Sequence, residues 1–329
     1  MSTQPGVTVY CLAFNHAQYI EKTLQGFLMQ EVDFPFHVII HDDASTDGTQ
    51  EIIRKYVSQR PDLFTAILQE ENQYSKQLDI YKTHIAPRIR TEYVCICEGD
   101  DYWSDPQKLK LQYTYMQAHP ECSMCTHNTQ RITSEGESLN DPFSRLNEDR
   151  DYYAEDVIAS GGGVLFHTSS YMYRFRYREE MPECYKIKGV SDYPLAMHMS
   201  TCGHIHYIGR IMSCYRMNAP GSWTQRNVSD PNRHVQHLTK LIDMLERVDA
   251  YTERKYHEAF RCAIEKNAYH RYIAKNQMLP VLLNKTYRKR FGEEPAARRM
   301  KLLVRGVAGP LLQPLKRLKQ TIVSRGNKN

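Results

Sequence analysis

At 329 residues, 41% hydrophobic and 25% charged, the chain has the composition of an ordinary soluble protein, long enough for one large domain or a domain with an appendage. It has no run of about 18 apolar residues, so no transmembrane helix is expected; the opening MSTQPGVTVYCLAFN has no basic stretch ahead of an apolar one, so no secretory signal is expected either. The net charge of +5 is uneven: residues 284–329 hold thirteen Lys or Arg against Glu293 and Glu294, a net of +11 that leaves −6 on the mildly acidic body.

The first half alternates strands and helices. GVTVYCLAF is a β-rich apolar run, and Tyr19 to Met29 follows with Ile20, Leu24, Phe27 and Leu28 on one helical face. FHVIIHDD is a second strand; STDGTQEIIRKYVSQRP opens with capping residues and stops at Pro61, as a helix should. FTAILQ is a third strand, DIYKTHIAPRI a helix and EYVCIC a fourth strand. DPQKLKLQYTYMQAHP is a helix with Pro106 in its first turn and Leu109, Tyr113 and Met116 inward, and CSMCTHNTQRI a fifth strand. This alternation predicts a parallel sheet with helices on both faces, binding its ligand beyond the carboxyl ends of the strands.

Residues 135–160 are polar and expected to be irregular, after which GGGVLFHTSSYMYRF gives a glycine loop and a strand and VSDYPLAMHMS a helix with Asp192 near its start. Beyond Pro231 the pattern is purely helical, which places a boundary near residue 230 and two segments, 1–230 and 231–329. The nine cysteines form no disulfide-like framework; Cys95, Cys97, Cys122 and Cys125 half meet zinc spacing, and buried reduced thiols of a cytosolic protein are the preferred reading.

The fourth strand ends in CEGDDYWSDPQKL, where Glu98, Asp100 and Asp101 crowd around Gly99. Carboxylates so close repel one another unless solvent or a cation sits among them. HDDASTD ends strand two, so two acidic strand ends share one rim. No Walker loop and no G-x-G-x-x-G is present, so glycine amides are not the phosphate cradle. A divalent cation held by carboxylates, Mn²⁺ or Mg²⁺, would neutralise phosphates instead. An acidic turn capping the next helix is the plainer account.

Together and in this order, VTVYCLAFNHAQYIEKTLQGFLMQ, VIIHDDASTDGTQEII and CEGDDYWSDPQKLKLQ strongly resemble the inverting family-2 glycosyltransferases of the GT-A fold, in the bacterial branch that builds capsules, O-antigens and other surface polysaccharides. The likeness is firm over roughly residues 6–130, weaker to about 225 and absent in the tail. It implies an α/β, Rossmann-like, mostly parallel sheet flanked by helices, with a C-terminal helical extension. It also implies transfer of a sugar from a nucleotide-sugar donor, UDP-linked on family grounds, to a glycan or lipid-linked saccharide acceptor.

Carried over by position, the resemblance puts Leu12, Ala13, Asn15 and Asp43 at the base and ribose, with Asp42 there or holding the loop; turn and capping chemistry is the alternative for both acids. Asp101 would be the direct metal ligand, with Asp100 at the metal, ribose or phosphate and Glu98 behind them. Trp103, after Tyr102, would floor the sugar ring or else serve the core, and Arg216 would pair with the diphosphate or pack under a loop. Lys108 reads as a solvated helix face rather than a phosphate contact.

Inverting transfer needs a base for the acceptor hydroxyl, and the resemblance assigns it to Asp192, where an N-cap is the alternative. A helix N-terminus would keep that carboxylate ionised and weaken it as a base. His167 falls in an acceptor-side stretch or is a buried hydrogen-bonded histidine; His204 and His206 read as structural. Where the family often has Tyr-Arg-x-His, CYRMNAPGSW has Asn218, leaving the metal a nitrogen ligand short or showing that the branch never used one. Gly221 to Gln225 would be a loop closing over the donor.

The tail mixes basic residues with Leu and Val, suiting an anionic membrane interface at about 1 kcal/mol per basic residue. Pro310 and Pro314 interrupt it, and a solvated tail is the alternative; no nucleic-acid module is present. The expected setting is cytoplasmic, peripheral on the inner face of the membrane. Two other readings differ in class: a sugar nucleotidyltransferase, whose glycine- and arginine-rich opening loop is missing, and a lapsed transferase serving as a scaffold.

Overall fold

The structure is a computed structural model that describes residues 4–162, 165–217, 219 and 230–306. Asn218, Gly221 to Gln225, Pro310 and Pro314 therefore lie outside the described residues. Contacts divide the chain into two compact units, Met1–Ser222 and Trp223–Asn329.

In chain order the first unit contains β1 (Gln4–Ala13), α1 (Ile20–Leu28), β2 (Phe36–Asp42), α2 (Thr49–Gln59), β3 (Phe64–Leu68), β4 (Thr91–Glu98), β5 (Tyr102–Trp103), α3 (Lys108–Ala118) and β6 (Cys122–Ile132). It continues with β7 (Ser138–Pro142), β8 (Arg150–Tyr152), α4 (Ala154–Ala159), β9 (Met172–Arg174), α5 (Phe175–Glu179), α6 (Asp192–Cys202) and β10 (His204–Arg216). All ten strands join one sheet in the order β3-β2-β1-β4-β9-β6-β10-β5, with β7 beside β6 and β8 beside β10. This is an α/β architecture, one sheet flanked by helices. Strands β3, β2, β1 and β4 are parallel, as is the β6–β10 pair, while β9 runs antiparallel between β4 and β6. The sheet is thus parallel in its first half and mixed in its second.

Register sets the rim. Ala13 pairs with Asp42 and Leu12 with Glu98, so β1, β2 and β4 end level with one another. Beneath the rim, Val7, Val9 and Cys11 of β1 pack with Ile20, Leu24 and Phe27 of α1 and with Val38, Ile40, Cys95 and Cys97. Each large apolar side chain so buried contributes about 1.5–3 kcal/mol.

Several expectations need correction. DIYKTHIAPRI forms a π turn, Tyr81–Ile85, then a 3₁₀ turn, Ala86–Arg88, because Pro87 has no N–H to continue an α-helix. The segment expected to be irregular holds β7, β8 and α4. β5 had no local signal; it exists because Tyr102 and Trp103 pair with Cys214 and Ser213 of β10. Lys108 is fully buried, not on a solvated face. None of the nine cysteines forms a disulfide, and burial pushes the Cys95 thiol up to about 11 and Cys122 to about 12.

The second unit contains α7 (Pro231–Tyr251), α8 (His257–Ala274), α9 (Met278–Leu283), α10 (Lys285–Glu293) and a helical stretch over 296–306. Asp230 caps α7 through Asn232 N and Arg233 N, and Asn284 caps α10 through Thr286 N and Tyr287 N. Tyr269, Met278, Val281 and Phe291 form a small core, while Leu279, Leu283, Met300 and Val304 stay exposed. Among the described residues no helix is long and apolar enough to cross a membrane.

Candidate active site

The acid cluster is held by a turn whose backbone is clamped from three elements. Gly99 N donates to Leu12 O at 2.9 Å, and Asp101 N closes on Glu98 O at 3.1 Å. A Cβ on Gly99 would lie 2.8 Å from His16 Nδ1 and 2.9 Å from Ile20 Cδ1, so any larger residue would force those side chains to move. From α1, Thr23 Oγ1 lies 3.0 Å from Gly99 O and 2.6 Å from Asp101 O. From β10, Arg216 N donates to Asp101 Oδ1 at 2.9 Å and Arg216 Nε to Asp100 O at 3.0 Å.

The charges in this turn are poorly compensated. Burial, then Asp100 and Glu98, push the Asp101 carboxyl well above its ordinary range, with Arg216 acting against them. Burial, then Asp100, push Glu98 up to about 7, although Thr168 Oγ1 donates to its Oε2 at 2.9 Å. Among the described residues neither Glu98 nor Asp100 has an ion-pair partner. A divalent cation suits this donor set, because it would let buried carboxylates ionise. No three His, Cys, Asp or Glu side chains converge as a cage among the described residues. The protein would therefore hold such an ion through one or two carboxylates and leave the other positions to phosphate and water, as Mg²⁺ sites commonly do.

Asp192 starts α6, near enough for its charge to act on Glu98. Its charge raises both Glu98 and Tyr171. The expected helix-terminus effect is overturned: burial raises the Asp192 carboxyl and outweighs the lowering by the amides of Tyr193 and Asp192. A raised carboxylate is a stronger base. A cavity of about 10 Å³, walled by Asp192, Tyr171, Tyr193 and Phe166, lies beside it and has room for about one water.

At the other end of the rim, side chains zip two loops together. Asn15, at φ +56°, accepts from Thr46 N at 2.9 Å, and its own N–H donates to Ser45 Oγ at 2.8 Å. Asp42 Oδ1 accepts from Ser45 N and Gln50 Nε2 at 2.9 and 2.7 Å. Asp43 takes the amides of Gln73 and Tyr74 at 2.7 and 3.1 Å. The carbonyls of Leu12 and Ala13 accept from Gly99 N and Asp43 N. These residues thus shape the rim through contacts with the chain itself.

Two assignments need correction. Trp103 is 1% exposed, with Phe27 edge-on at 4.8 Å, Lys108 Nζ 3.9 Å over its ring and its Nε1 donating to Ser169 O at 2.9 Å. It belongs to the core and offers no face to a sugar. Arg216 is buried, its Nη1 donating to Thr133 O and Ser134 O and its guanidinium 4.3 Å over Tyr19. It braces the turn rather than reaching outward. Sequence reasoning missed Thr23 and Thr168, whose roles come from contacts 76 and 70 positions away.

Residues 8–180 match the family described as Glycosyl transferase family 2. The chain belongs to that family. It is 32% identical over 256 residues, covering 76% of this chain and 70% of the relative, to uncharacterized protein Rv1520 of Mycobacterium tuberculosis. Over 119 residues, 36% of this chain and 41% of the relative, it is 28% identical to the putative glycosyltransferase EpsE of Bacillus subtilis. Among solved structures, S. aureus TarS 1-349 in complex with UDP superposes at TM-score 0.52 with 16% identity, covering 82% of this chain and 91% of that one. The Pyrobaculum calidifontis mannosyltransferase PcManGT, in complex with GDP-Man and Mn²⁺, gives 0.50 and 16%, covering 94% and 89%. These likenesses establish the fold; the chemistry rests on the site.

Proposed function

We propose that this family-2 glycosyltransferase is metal-dependent and inverting, moving a sugar from a UDP-linked donor to a hydroxyl of a glycan or lipid-linked saccharide in surface-polysaccharide synthesis. The observation that carries the reading is the crowded trio Glu98, Asp100 and Asp101 at the end of β4, with Asp101 buried and the charge of Asp192 acting on Glu98. The complexes titled with UDP, UDP-GlcNAc and GDP-Man with Mn²⁺ support a nucleotide-sugar donor and a divalent ion. A Bacillus subtilis relative, 29% identical over 113 residues and named as the putative teichuronic acid biosynthesis glycosyltransferase TuaG, supports the pathway.

In this reading Asp101 and Asp100 hold Mn²⁺ or Mg²⁺, and the rim of Leu12, Ala13, Asn15, Asp42 and Asp43 receives the nucleoside. Bound there, the ion would offset negative charge on the departing diphosphate. Asp192 takes the proton of the acceptor hydroxyl as its oxygen bonds to the anomeric carbon, while the bond from that carbon to the diphosphate breaks. Residues 1–230 carry this chemistry. The basic helices and tail of 231–329 hold the enzyme to an anionic membrane on its cytoplasmic side; deletion of 284–329 with unchanged membrane fractionation would remove that part.

The test is binding. Melting temperature is followed with UDP, GDP, CDP and dTDP, each with and without Mn²⁺, for wild type and Asp101→Ala. A ligand at a hundred times its Kd adds about 2.7 kcal/mol of stability. Metal-dependent stabilisation by UDP, lost in the variant, supports the reading; no shift with any nucleotide overturns it.

A further inference from the structure

We infer that His167 is a positioning residue for the acid cluster: its Nε2–H faces Oδ2 of Asp101, the oxygen that Arg216 N does not take, and closes on it when a cation is bound. The inference rests on the metal-dependent reading above and adds a residue to it.

Three observations carry it. First, His167 Nε2 stands 3.7 Å from Asp101 Oδ2, with both side chains nearly or fully buried. Second, the ring has a defined tautomer. Ser169 N approaches His167 Nδ1 at 3.3 Å, and a backbone N–H can only donate, so Nδ1 carries the lone pair and Nε2 the proton. Third, the ring is anchored. Ser169 Oγ lies 2.8 Å from Nδ1 and continues to Ser213 Oγ and Thr129 Oγ1 at 2.9 Å each, a chain of hydroxyls on fully buried residues reaching β10 and β6. Tyr215 packs on the ring at 4.1 Å and Phe143 meets it edge-on at 5.5 Å.

Asp101 is thereby approached from two sides, by Arg216 N–H at Oδ1 and by His167 Nε2–H at Oδ2. A carboxylate has about four lone-pair sites, so one donor on each oxygen fixes its plane and leaves the remainder for a cation. At 3.7 Å the pair is longer than a hydrogen bond, and contacts of this kind tighten when such a site is loaded. The proton on Nε2 also means that His167 acts on the ion through Asp101 and does not substitute for the nitrogen ligand that Asn218 lacks.

The experiment titrates Mn²⁺, followed by its electron paramagnetic resonance signal, in saturating UDP or GDP, whichever stabilises wild type. Wild type, His167→Ala, His167→Gln and Asp101→Ala are compared. Outer partners of metal-bound carboxylates are worth about 10–100-fold in affinity, so His167→Ala is expected to weaken Mn²⁺ at least tenfold. His167→Gln, whose amide N–H replaces Nε2–H, is expected to stay within about threefold of wild type. If His167→Ala does not fold, His167→Asn replaces it, since its shorter amide does not reach Asp101. Unchanged affinity in the Ala or Asn variant overturns the inference, as does a Gln variant that binds no better. If Asp101→Ala keeps full Mn²⁺ affinity, or wild type binds none, the metal reading itself fails.

Discussion

The backbone N–H of Arg216 donates to Oδ1 of Asp101 at 2.9 Å, joining the last residue of β10 to the turn after β4 across 115 positions. A side-chain guanidinium then secures the same turn through Asp100 O and reaches on to Thr133 O and Ser134 O. One residue thus fixes the position of the cluster and partly offsets its charge.

Arg216→Ala leaves two partly buried carbonyls, Asp100 O and Ser134 O, without their side-chain donor, while Thr133 O keeps Gly136 N, and it removes the cation that lowers Asp101. Losing a buried partner costs about 1–3 kcal/mol, and this variant is expected at the upper end by urea denaturation. Arg216→Lys keeps the charge without the planar fork and is expected to recover only part of the loss.

Asp192→Asn tests the base. Release of nucleoside diphosphate from the nucleotide-sugar is expected to fall by about 10²–10⁴, with metal-dependent stabilisation by the nucleotide preserved. Loss of both would show that Asp192 only builds the start of α6.

Gly26 marks where α1 touches β5. A Cβ there would meet Trp103 O at 2.8 Å and Trp103 N at 3.0 Å, both backbone atoms. Gly26→Ala gains about 1 kcal/mol of helix propensity but overpacks the site at about 1–3 kcal/mol. A net loss of about 1 kcal/mol or more is expected by chemical denaturation; a gain would mean that β5 shifts freely.

His127 on β6 should make stability fall in acid. Burial, then Lys108, hold it well below the ordinary histidine range, so the folded protein keeps it neutral. The unfolded chain takes up a proton below about pH 6.5, so the unfolded state binds more protons and stability is lost as pH drops through that value. Denaturation midpoints at pH 7.5, 6.5 and 5.5 are expected to fall in wild type. They should fall less in His127→Gln, with His41 and His198, also lowered by burial, supplying the rest.

Among the described residues Lys108 is a buried amine with no carboxylate partner: its Nζ donates to Gln112 Oε1 at 2.7 Å, lies 4.0 Å from Cys95 Sγ and sits over Trp103. Burial lowers its pKa. Lys108→Met fills the same volume and loses one hydrogen bond, so stability near pH 7 is expected to stay within about 1 kcal/mol of wild type. In alkaline titrations, wild-type stability should rise over the range where the unfolded lysine holds a proton that the folded one has lost, levelling off near about pH 10.4, and this rise should disappear in the variant.

The local signals worked where a segment needs only itself. The apolar periodicity of Ile20, Leu24 and Phe27, and the β-rich runs ending at Ala13, Asp42 and Glu98, correspond to α1, β1, β2 and β4. The segment 135–160 was misread because β7 and β8 are short, polar strands that exist by pairing with β6 and β10. Lys108 was misread because a charged residue on a helix gives no local sign that three cysteines and a tryptophan lie over it.

By itself the sequence determined the alternation of strands and helices, the three motifs of the family and the crowding of acids around Gly99, since each is a property of neighbours along the chain. Only the tertiary structure decided that Trp103 and Arg216 face inward, that burial raises Asp192, that Thr168 reaches Glu98 and that His167 lies beside Asp101. Those outcomes depend on which distant groups share a low-dielectric space, and spacing along a chain does not encode that directly.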